Sequence, residues 1–262
     1  MSDIRFAVPT DLPAIREIWS AVFTADTVEE RDVFLKTVHL HEECVLACVD
    51  GKPVSMAFFL PAVLHINSSA YVVRYLYAAA TLPNYRGQGI FGGLLKTALQ
   101  ILRQRGVAAC FLNPAQPSLV TFYQRFGFKP AFFSREVSGD ANVRTLPIQP
   151  LSCKDYIALR QTLLPRDYVS WGNRLLTYAV SFATAVRIGD GCALFIKDGK
   201  ILRVIELLGV SDTVCGALAG ALDCDAFTAR VFAETGDCFG MLLPLAEDIV
   251  LNTSPYMGLA FD

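Results

Sequence analysis

Apolar positions in the first half of the chain alternate between two periods. Ile4-Arg5-Phe6-Ala7-Val8 has the look of a short strand, and past Thr10, a helix-capping residue, Leu12, Ile15, Ile18, Trp19 and Val22 keep the spacing of an amphipathic helix. A second helix is predicted over 28–38. Three β-rich segments follow at 44–49, 54–65 and 71–81, joined by Asp50-Gly51-Lys52-Pro53 and by Asn67-Ser68-Ser69, which predicts an antiparallel meander. The pattern then predicts a helix over 88–103, a strand over 107–112, a helix over 118–126 and a strand over 127–137.

Past Ser138-Gly139-Asp140 the periodicity is lost, and Arg144-Thr145-Leu146-Pro147-Ile148-Gln149-Pro150 is rich in turn formers, so a linker is placed there. Two domains are expected, 1–140 and 150–262. The second half predicts helices over 153–163 and 174–183, strands over 193–197 and 201–208 joined by Asp198-Gly199-Lys200, a helix over 211–222 and a strand over 226–232. The order strand, helix, strand at 201–232 echoes 71–112 and suggests a weak internal duplication. The closing stretch, Tyr256-Met257-Gly258-Leu259-Ala260-Phe261-Asp262, is apolar and is expected to dock rather than to form a polar tail.

Composition narrows the class. Of the 262 residues, 53% are hydrophobic and 18% charged, enough to build a core and incompatible with a disordered chain. Mean hydropathy is +0.40, yet the longest apolar stretches are interrupted by Ser, Pro or Thr well short of the roughly 20 residues that a membrane-spanning helix needs. The apolar surplus suits an interface between lobes or in a homodimer. The start, Met-Ser-Asp-Ile-Arg, lacks the features of a secretory signal, which points to the cytoplasm. A net charge of −2 supplies no global basic field for nucleic acid. Eight cysteines include no Cys-x-x-Cys pair, and reduced, mostly buried thiols are expected. His39-x-His41 has no Cys or carboxylate at ligand spacing, so no metal is expected.

One turn carries chemistry. In Asn84-Tyr85-Arg86-Gly87-Gln88-Gly89-Ile90-Phe91-Gly92, glycines let a bulky anion approach the main chain where a helix begins, and a helix N-terminus presents unpaired N–H groups and partial positive charge. Arg86 adds a cation, and Leu94, Leu95, Ala98, Leu99 and Leu102 would hold that helix against the sheet. An ordinary glycine-rich strand-to-helix turn has the same composition, so context must decide. About 30 residues later stands Thr121-Phe122-Tyr123-Gln124-Arg125-Phe126-Gly127-Phe128. In the helix predicted there, Leu119, Phe122 and Phe126 form the expected buried stripe, with Tyr123 at its edge and its hydroxyl toward a cleft. A phenol with pKa near 10 is protonated at neutral pH and can act as a proton donor.

Together these two segments resemble the GNAT (Gcn5-related) N-acetyltransferase superfamily, and the resemblance covers about residues 3–138. Arg86 and Gly89 match the family's Gln/Arg-x-x-Gly-x-Gly/Ala pattern, with Phe91 standing at its last position. The resemblance implies an α/β (α+β) fold with a mixed, mostly antiparallel sheet flanked by helices. It also implies that Arg86, Gly87, Gln88, Gly89, Ile90, Phe91 and Gly92 hold the pyrophosphate of acetyl-CoA. Ala79, Ala80 and Thr81 would offer main-chain groups to the pantetheine arm, Asn113 and Gln116 lie where the family often has an asparagine on the cofactor, and Tyr123 would be the general acid. The second half resembles the degenerate lobe of two-lobed, tandem GNAT-like bacterial proteins, in some of which the chain terminus borders the acceptor site, a role open to Asp262. It lacks an Arg-Gly-x-Gly turn, which leaves one anchor in the chain. The implied activity is acetyl transfer from acetyl-CoA to a primary amine by direct attack on the thioester; a regulatory protein that binds acyl-CoA and transfers nothing would carry the same turn. Glu42, Glu43 and His65 are possible bases by residue type, and none has a motif around it.

Overall fold

The structure, a computed structural model, describes residues 3–38, 41–142 and 145–261. In chain order the elements are β1 (Asp3–Phe6), α1 (Leu12–Val22), α2 (Val28–Thr37), β2 (Cys44–Val49), β3 (Lys52–Ile66), β4 (Ser69–Thr81), α3 (Ile90–Gln104), β5 (Ala109–Leu112), α4 (Pro117–Gln124) and β6 (Lys129–Asp140). They continue with β7 (Gln149–Pro150), α5 (Cys153–Leu163), β8 (Tyr168–Trp171), α6 (Asn173–Ser181), β9 (Thr184–Ile188), β10 (Gly191–Asp198), β11 (Ile201–Leu208), α7 (Cys215–Ala221), β12 (Ala226–Ala233) and β13 (Asp237–Pro244). Among the described residues no helix is long and apolar enough to cross a membrane.

The chain divides into two compact units that interleave in sequence. The first takes in residues up to 64, then 69–130 and 240–250; the second takes in 65–68, 131–239 and 251 onward. A single boundary at 140–150 therefore differs from this division in three places: residues 65–68 and most of β6 group with the second unit, and residues 240–250, with the end of β13, group with the first. The cause lies in strand pairing. Leu242 and Leu243 pair with Phe111 and Cys110 of β5, whereas Phe133 to Asp140 pair with β12.

In the first unit the strands run β1-β2-β3-β4-β5-β13, with β1, β2 and β3 antiparallel, β4 and β5 parallel, and β5 and β13 antiparallel. Val54 to Leu60 of β3 are buried without interruption, the mark of a strand covered on both faces. Helix α2 starts on a capping box in which Thr27 accepts from the Glu30 N–H and Glu30 accepts from the Thr27 N–H at 2.8 Å. The core joins α1 and α2 to the sheet through aromatic rings. Trp19 packs on Phe34 at 5.2 Å, and Phe34 meets Phe58 edge-on at the same centroid distance.

The second unit orders its strands β6-β12-β11-β10-β9-β7, antiparallel except for the parallel pair β11 and β12. Its core gathers Val186, Phe195, Leu202, Val204, Leu218 and Phe227. The parallel connection β11-α7-β12 matches β4-α3-β5 in direction. Helix α6 ends at Ser181, short of the expected 183, and β7, β8, β9 and β13 lie in segments for which no element was expected.

Candidate active site

The site is built on the far end of β4. Its parallel pairing with β5 runs from Val73↔Ala109 to Tyr75↔Phe111 and stops there, while β4 continues to Thr81. Within that extension Ala78 takes φ +46, an uncommon conformation for a residue with a side chain. The backbone beyond Tyr75 has no β5 partner on that edge, so it can pair with an extended ligand. Of the three residues expected to do so, Ala80 has its carbonyl engaged by the Ser55 hydroxyl at 2.8 Å, and Thr81 has its own engaged by Nε of Arg86 at 3.0 Å. Ala79 is half-buried, and among the described residues no side chain engages its carbonyl.

The turn after β4 is bound tightly to itself. Tyr85 N–H donates to the Leu82 carbonyl at 2.9 Å, Arg86 N–H to the Pro83 carbonyl at 3.2 Å, and the Gln88 amide to the Asn84 carbonyl at 3.1 Å. Gly87 and Gly89 take φ +75 and +76, and the space around both α-carbons is open to 4 Å. Backbone conformation, rather than crowding, is what requires glycine there. Helix α3 opens on Gly89 with no capping side chain, and the ladder begins with Gly93 N–H to the Gly89 carbonyl at 3.0 Å. The N–H groups of Ile90, Phe91 and Gly92 precede that bond, and among the described residues no side chain caps them. Leu94, Leu95, Ala98, Leu99 and Leu102 are buried as the period predicts.

Helix α4 is packed onto this first turn. Phe91 meets Phe122 at 6.0 Å, and the Phe126 ring lies 3.4 Å from where a Gly92 β-carbon would stand. Phe91, at the motif position where Gly or Ala is usual, thus serves as the contact between α3 and α4. The expected stripe is corrected here: Leu119, Phe122 and Phe126 are half-buried, and Tyr123 is the buried residue of α4. Tyr123 turns inward onto Phe128 at 5.8 Å, because Phe122 and Phe126 are occupied in closing over α3. Burial pushes the Tyr123 phenol well above its ordinary pKa, and neighbouring Cys110 adds to the shift. Among the described residues nothing hydrogen-bonds its hydroxyl. Asn113 is half-buried just past β5, whereas Gln116 is exposed at the N-cap of α4 and makes no side-chain cap.

Other candidates are dispersed. Glu42 is exposed and Glu43 buried at the start of β2, while His65 belongs to the second unit, stacked on Tyr168 at 4.4 Å with its pKa lowered by burial. His39 and Asp262 lie outside the described residues, and among those described no three His, Cys, Asp or Glu side chains converge as metal ligands. Ser55 carries no sequence signal beyond being a hydroxyl in an apolar run. The matching turn of the second unit is closed. Ser211 accepts from the Thr213 N–H at 3.4 Å, Asp212 puts a carboxylate there that pairs with Arg135 at 2.5 Å, and a β-carbon on Gly209 would stand 2.9 Å from Leu163.

The family model described as Acetyltransferase (GNAT) domain matches residues 3–131, the stretch that contains the end of β4, the turn and Tyr123. Over residues 3–131 the chain belongs to the GNAT acetyltransferase family. Acyl-CoA-dependent N-acetyl transfer is the activity of that family. Uncharacterized N-acetyltransferase YjhQ of Escherichia coli (strain K12) is 30% identical over 86 residues, 33% of this chain and 45% of YjhQ, so the chain spans less than half of that relative. Over nearly its whole length the chain is similar in fold to a conserved protein of unknown function from Enterococcus faecalis V583, with TM-score 0.76, 16% identity, and coverage of 94% of this chain and 73% of that one. A GCN5-related N-acetyltransferase from Kribbella flavida gives TM-score 0.72 at 15% identity, covering 94% and 72%. The fold likeness therefore extends past the GNAT domain into the second unit.

Proposed function

We propose that the GNAT domain transfers the acetyl group of acetyl-CoA to a primary amine by direct attack on the thioester. The observation that carries this reading is the opening of α3 on an uncapped, αL Gly89 beside a β4 edge that β5 has left. The pyrophosphate would sit on the N–H groups of Ile90, Phe91 and Gly92, where partial positive charge and free donors coincide, with Arg86 alongside. The pantetheine arm would run along β4 at Ala79, and Asn113, past β5, would reach the same arm. Gln88 serves the turn itself through Asn84.

In the reaction the amine nitrogen forms a bond to the acyl carbon, the C–S bond breaks, the attacking nitrogen gives its proton to solvent, the departing thiolate takes one from the Tyr123 hydroxyl, and solvent returns a proton to the phenolate. A phenol whose pKa is raised by burial is fully protonated at neutral pH, as the donor role needs. Most of the acceleration would come from holding amine and thioester in contact, which can contribute about 7–11 kcal/mol. The second unit would act as a GNAT-like lobe with no anion site of its own, because Ser211, Asp212 and Leu163 fill the corresponding turn.

The test is calorimetry with acetyl-CoA followed by a thiol-release assay across small amines, peptides and proteins with free amino groups. Micromolar binding and thiol release with at least one amine are expected. Absence of binding would overturn the anchor, and binding without release from any amine would favour a non-catalytic acyl-CoA-binding protein.

A further inference from the structure

Ser55 is fully buried in β3, within the apolar run Val54 to Leu60, where a hydroxyl is costly unless it is bonded. Its oxygen lies 2.8 Å from the Ala80 carbonyl and 2.8 Å from Oγ1 of Thr81. A serine hydroxyl has one proton, and a carbonyl can only accept. The Ser55 proton therefore goes to Ala80, and the Thr81 hydroxyl must donate to Ser55. The order of protons is thereby set: Thr81 to Ser55 to the Ala80 carbonyl. Thr81 is left with only lone pairs to offer any other partner, and its side-chain rotamer is held.

The geometry points to Ser55 as a positioning residue for the acetyl-CoA anchor, acting through Thr81 on Arg86; this rests on the reading of that anchor proposed above. The Thr81 carbonyl accepts from Nε of Arg86 at 3.0 Å, which uses the inner donor of an exposed guanidinium and leaves its terminal nitrogens for an anion. Adjacent to Ser55, the Val54 carbonyl accepts from the Leu82 N–H at 2.9 Å. One buried side chain thus holds the strand end beyond Ala78, at the point where β4 enters the turn. Arg86 alone would have to order a long, exposed side chain each time an anion arrived. With Thr81 held, the guanidinium is ordered in advance.

The experiment is a double-mutant cycle read by calorimetry with acetyl-CoA on the full chain: wild type, Ser55→Ala, Arg86→Ala and the double variant, with melting temperatures alongside. Ser55→Ala is expected to weaken acetyl-CoA binding about fivefold, the worth of one hydrogen bond. The double variant is expected to bind no more than about twofold less tightly than Arg86→Ala, because Ser55 has nothing left to act through. Thr81→Val approaches the same pair from a half-buried position and is expected to reproduce the fivefold loss, so the test survives a Ser55→Ala chain that folds poorly. Wild-type affinity in both single hydroxyl variants, or losses that multiply in the double variant, would overturn the inference while leaving the anchor standing. A wild-type protein that does not bind acetyl-CoA would remove the anchor reading itself.

Discussion

Gly258 lies against the carboxylate of Glu206: a β-carbon on it would stand 2.5 Å from Oε1 of Glu206 and 2.9 Å from Nη2 of Arg160. Both residues belong to the second unit, and the approach has a purpose visible in the hydrogen bonds. Glu206, 2% exposed, accepts from Nε of Arg160 at 2.9 Å, from Nη2 of Arg160 at 3.0 Å, from the Tyr256 hydroxyl at 2.8 Å and from the Tyr156 hydroxyl. A buried carboxylate is tolerable when its lone pairs are filled and its charge is matched, as here. Tyr256 and Gly258 bring the closing segment of the chain to that carboxylate, and the Trp171 indole donates to the Met257 carbonyl between them at 3.0 Å.

Gly258→Ala meets two obstacles, a φ of +74 and a carboxylate that cannot retreat without loosening Arg160. A loss of about 3 kcal/mol is expected, from roughly 1–3 kcal/mol for the backbone and the remainder for the contact. Glu206→Gln keeps the shape and removes the charge, leaving Arg160 buried without a counter-ion, and about 3–5 kcal/mol should be lost. Urea unfolding reads both. A wild-type midpoint in Gly258→Ala would mean that the closing segment yields freely.

The same network sets a pH dependence. Burial, with Glu206 adding to it, raises the Tyr156 and Tyr256 phenols well above their ordinary value. A raised folded pKa means that the stability is fully present below pH about 10 and is lost as pH rises beyond it, at about 1.4 kcal/mol per pH unit per tyrosine. Unfolding free energies measured from pH 8 to 11 should therefore fall on the alkaline side, and Tyr156→Phe should make that fall shallower while lowering stability at pH 8. At the acid end the sign reverses. Asp11 is held below the ordinary carboxylate range by its bonds to Arg5 at 2.6 and 2.8 Å and by the Val8 N–H, so its contribution is present above pH about 4 and fades as pH falls. Equal alkaline slopes in wild type and Tyr156→Phe would contradict the assignment.

Much of the first unit was legible because its elements carry local signals. The period of Leu94, Leu95, Ala98, Leu99 and Leu102 marked α3, the glycines marked its start, and the β-rich segments with their turn residues between 44 and 81 marked the meander. What escaped is long-range. That Leu242 joins β5 while Phe133 joins β12 depends on which edges are open when the chain returns, and no local pattern records it. The burial of Tyr123 in place of Leu119 and Phe122 follows from the docking of α4 on α3, which an isolated eight-residue helix cannot reveal. Ser55 and Glu206 look like polar interruptions of apolar strands until their partners, 25 and 50 residues away, are in place.

Tyr123→Phe separates the acid role from packing. The ring contacts with Phe122 at 5.2 Å and Phe128 at 5.8 Å stay, and the hydroxyl, which has no hydrogen-bond partner among the described residues, is all that is lost. Stability and acetyl-CoA affinity should then be unchanged, while turnover with a working amine should fall about 10²-fold or more. Unchanged turnover would remove Tyr123 from the mechanism and leave it as a core residue.

Two glycines of α7 give opposite answers to one substitution. In an exposed helix, Gly→Ala typically stabilises by about 1 kcal/mol, because alanine loses less backbone freedom on folding. Helix α7, Cys-Gly-Ala-Leu-Ala-Gly-Ala, is overlaid by the chain at Asp140 to Asn142, where Asn142 N–H donates to the Gly216 carbonyl at 2.9 Å and Ala141 N–H to the Asp225 carbonyl at 2.8 Å. A β-carbon on Gly216 would stand 2.5 Å from the Asn142 amide nitrogen, a side-chain atom rather than main chain, and 3.1 Å from the Asp140 carbonyl oxygen. One on Gly220 would overlap the Asn142 carbonyl oxygen, which is main chain held in place by those two bonds. Gly216→Ala should therefore cost about 1 kcal/mol or less, the helical gain offsetting a small displacement, and Gly220→Ala about 2–3 kcal/mol, as overpacking against backbone does. Urea midpoints of the two variants side by side decide it, and equal midpoints would mean that the crossing segment moves as readily as a side chain.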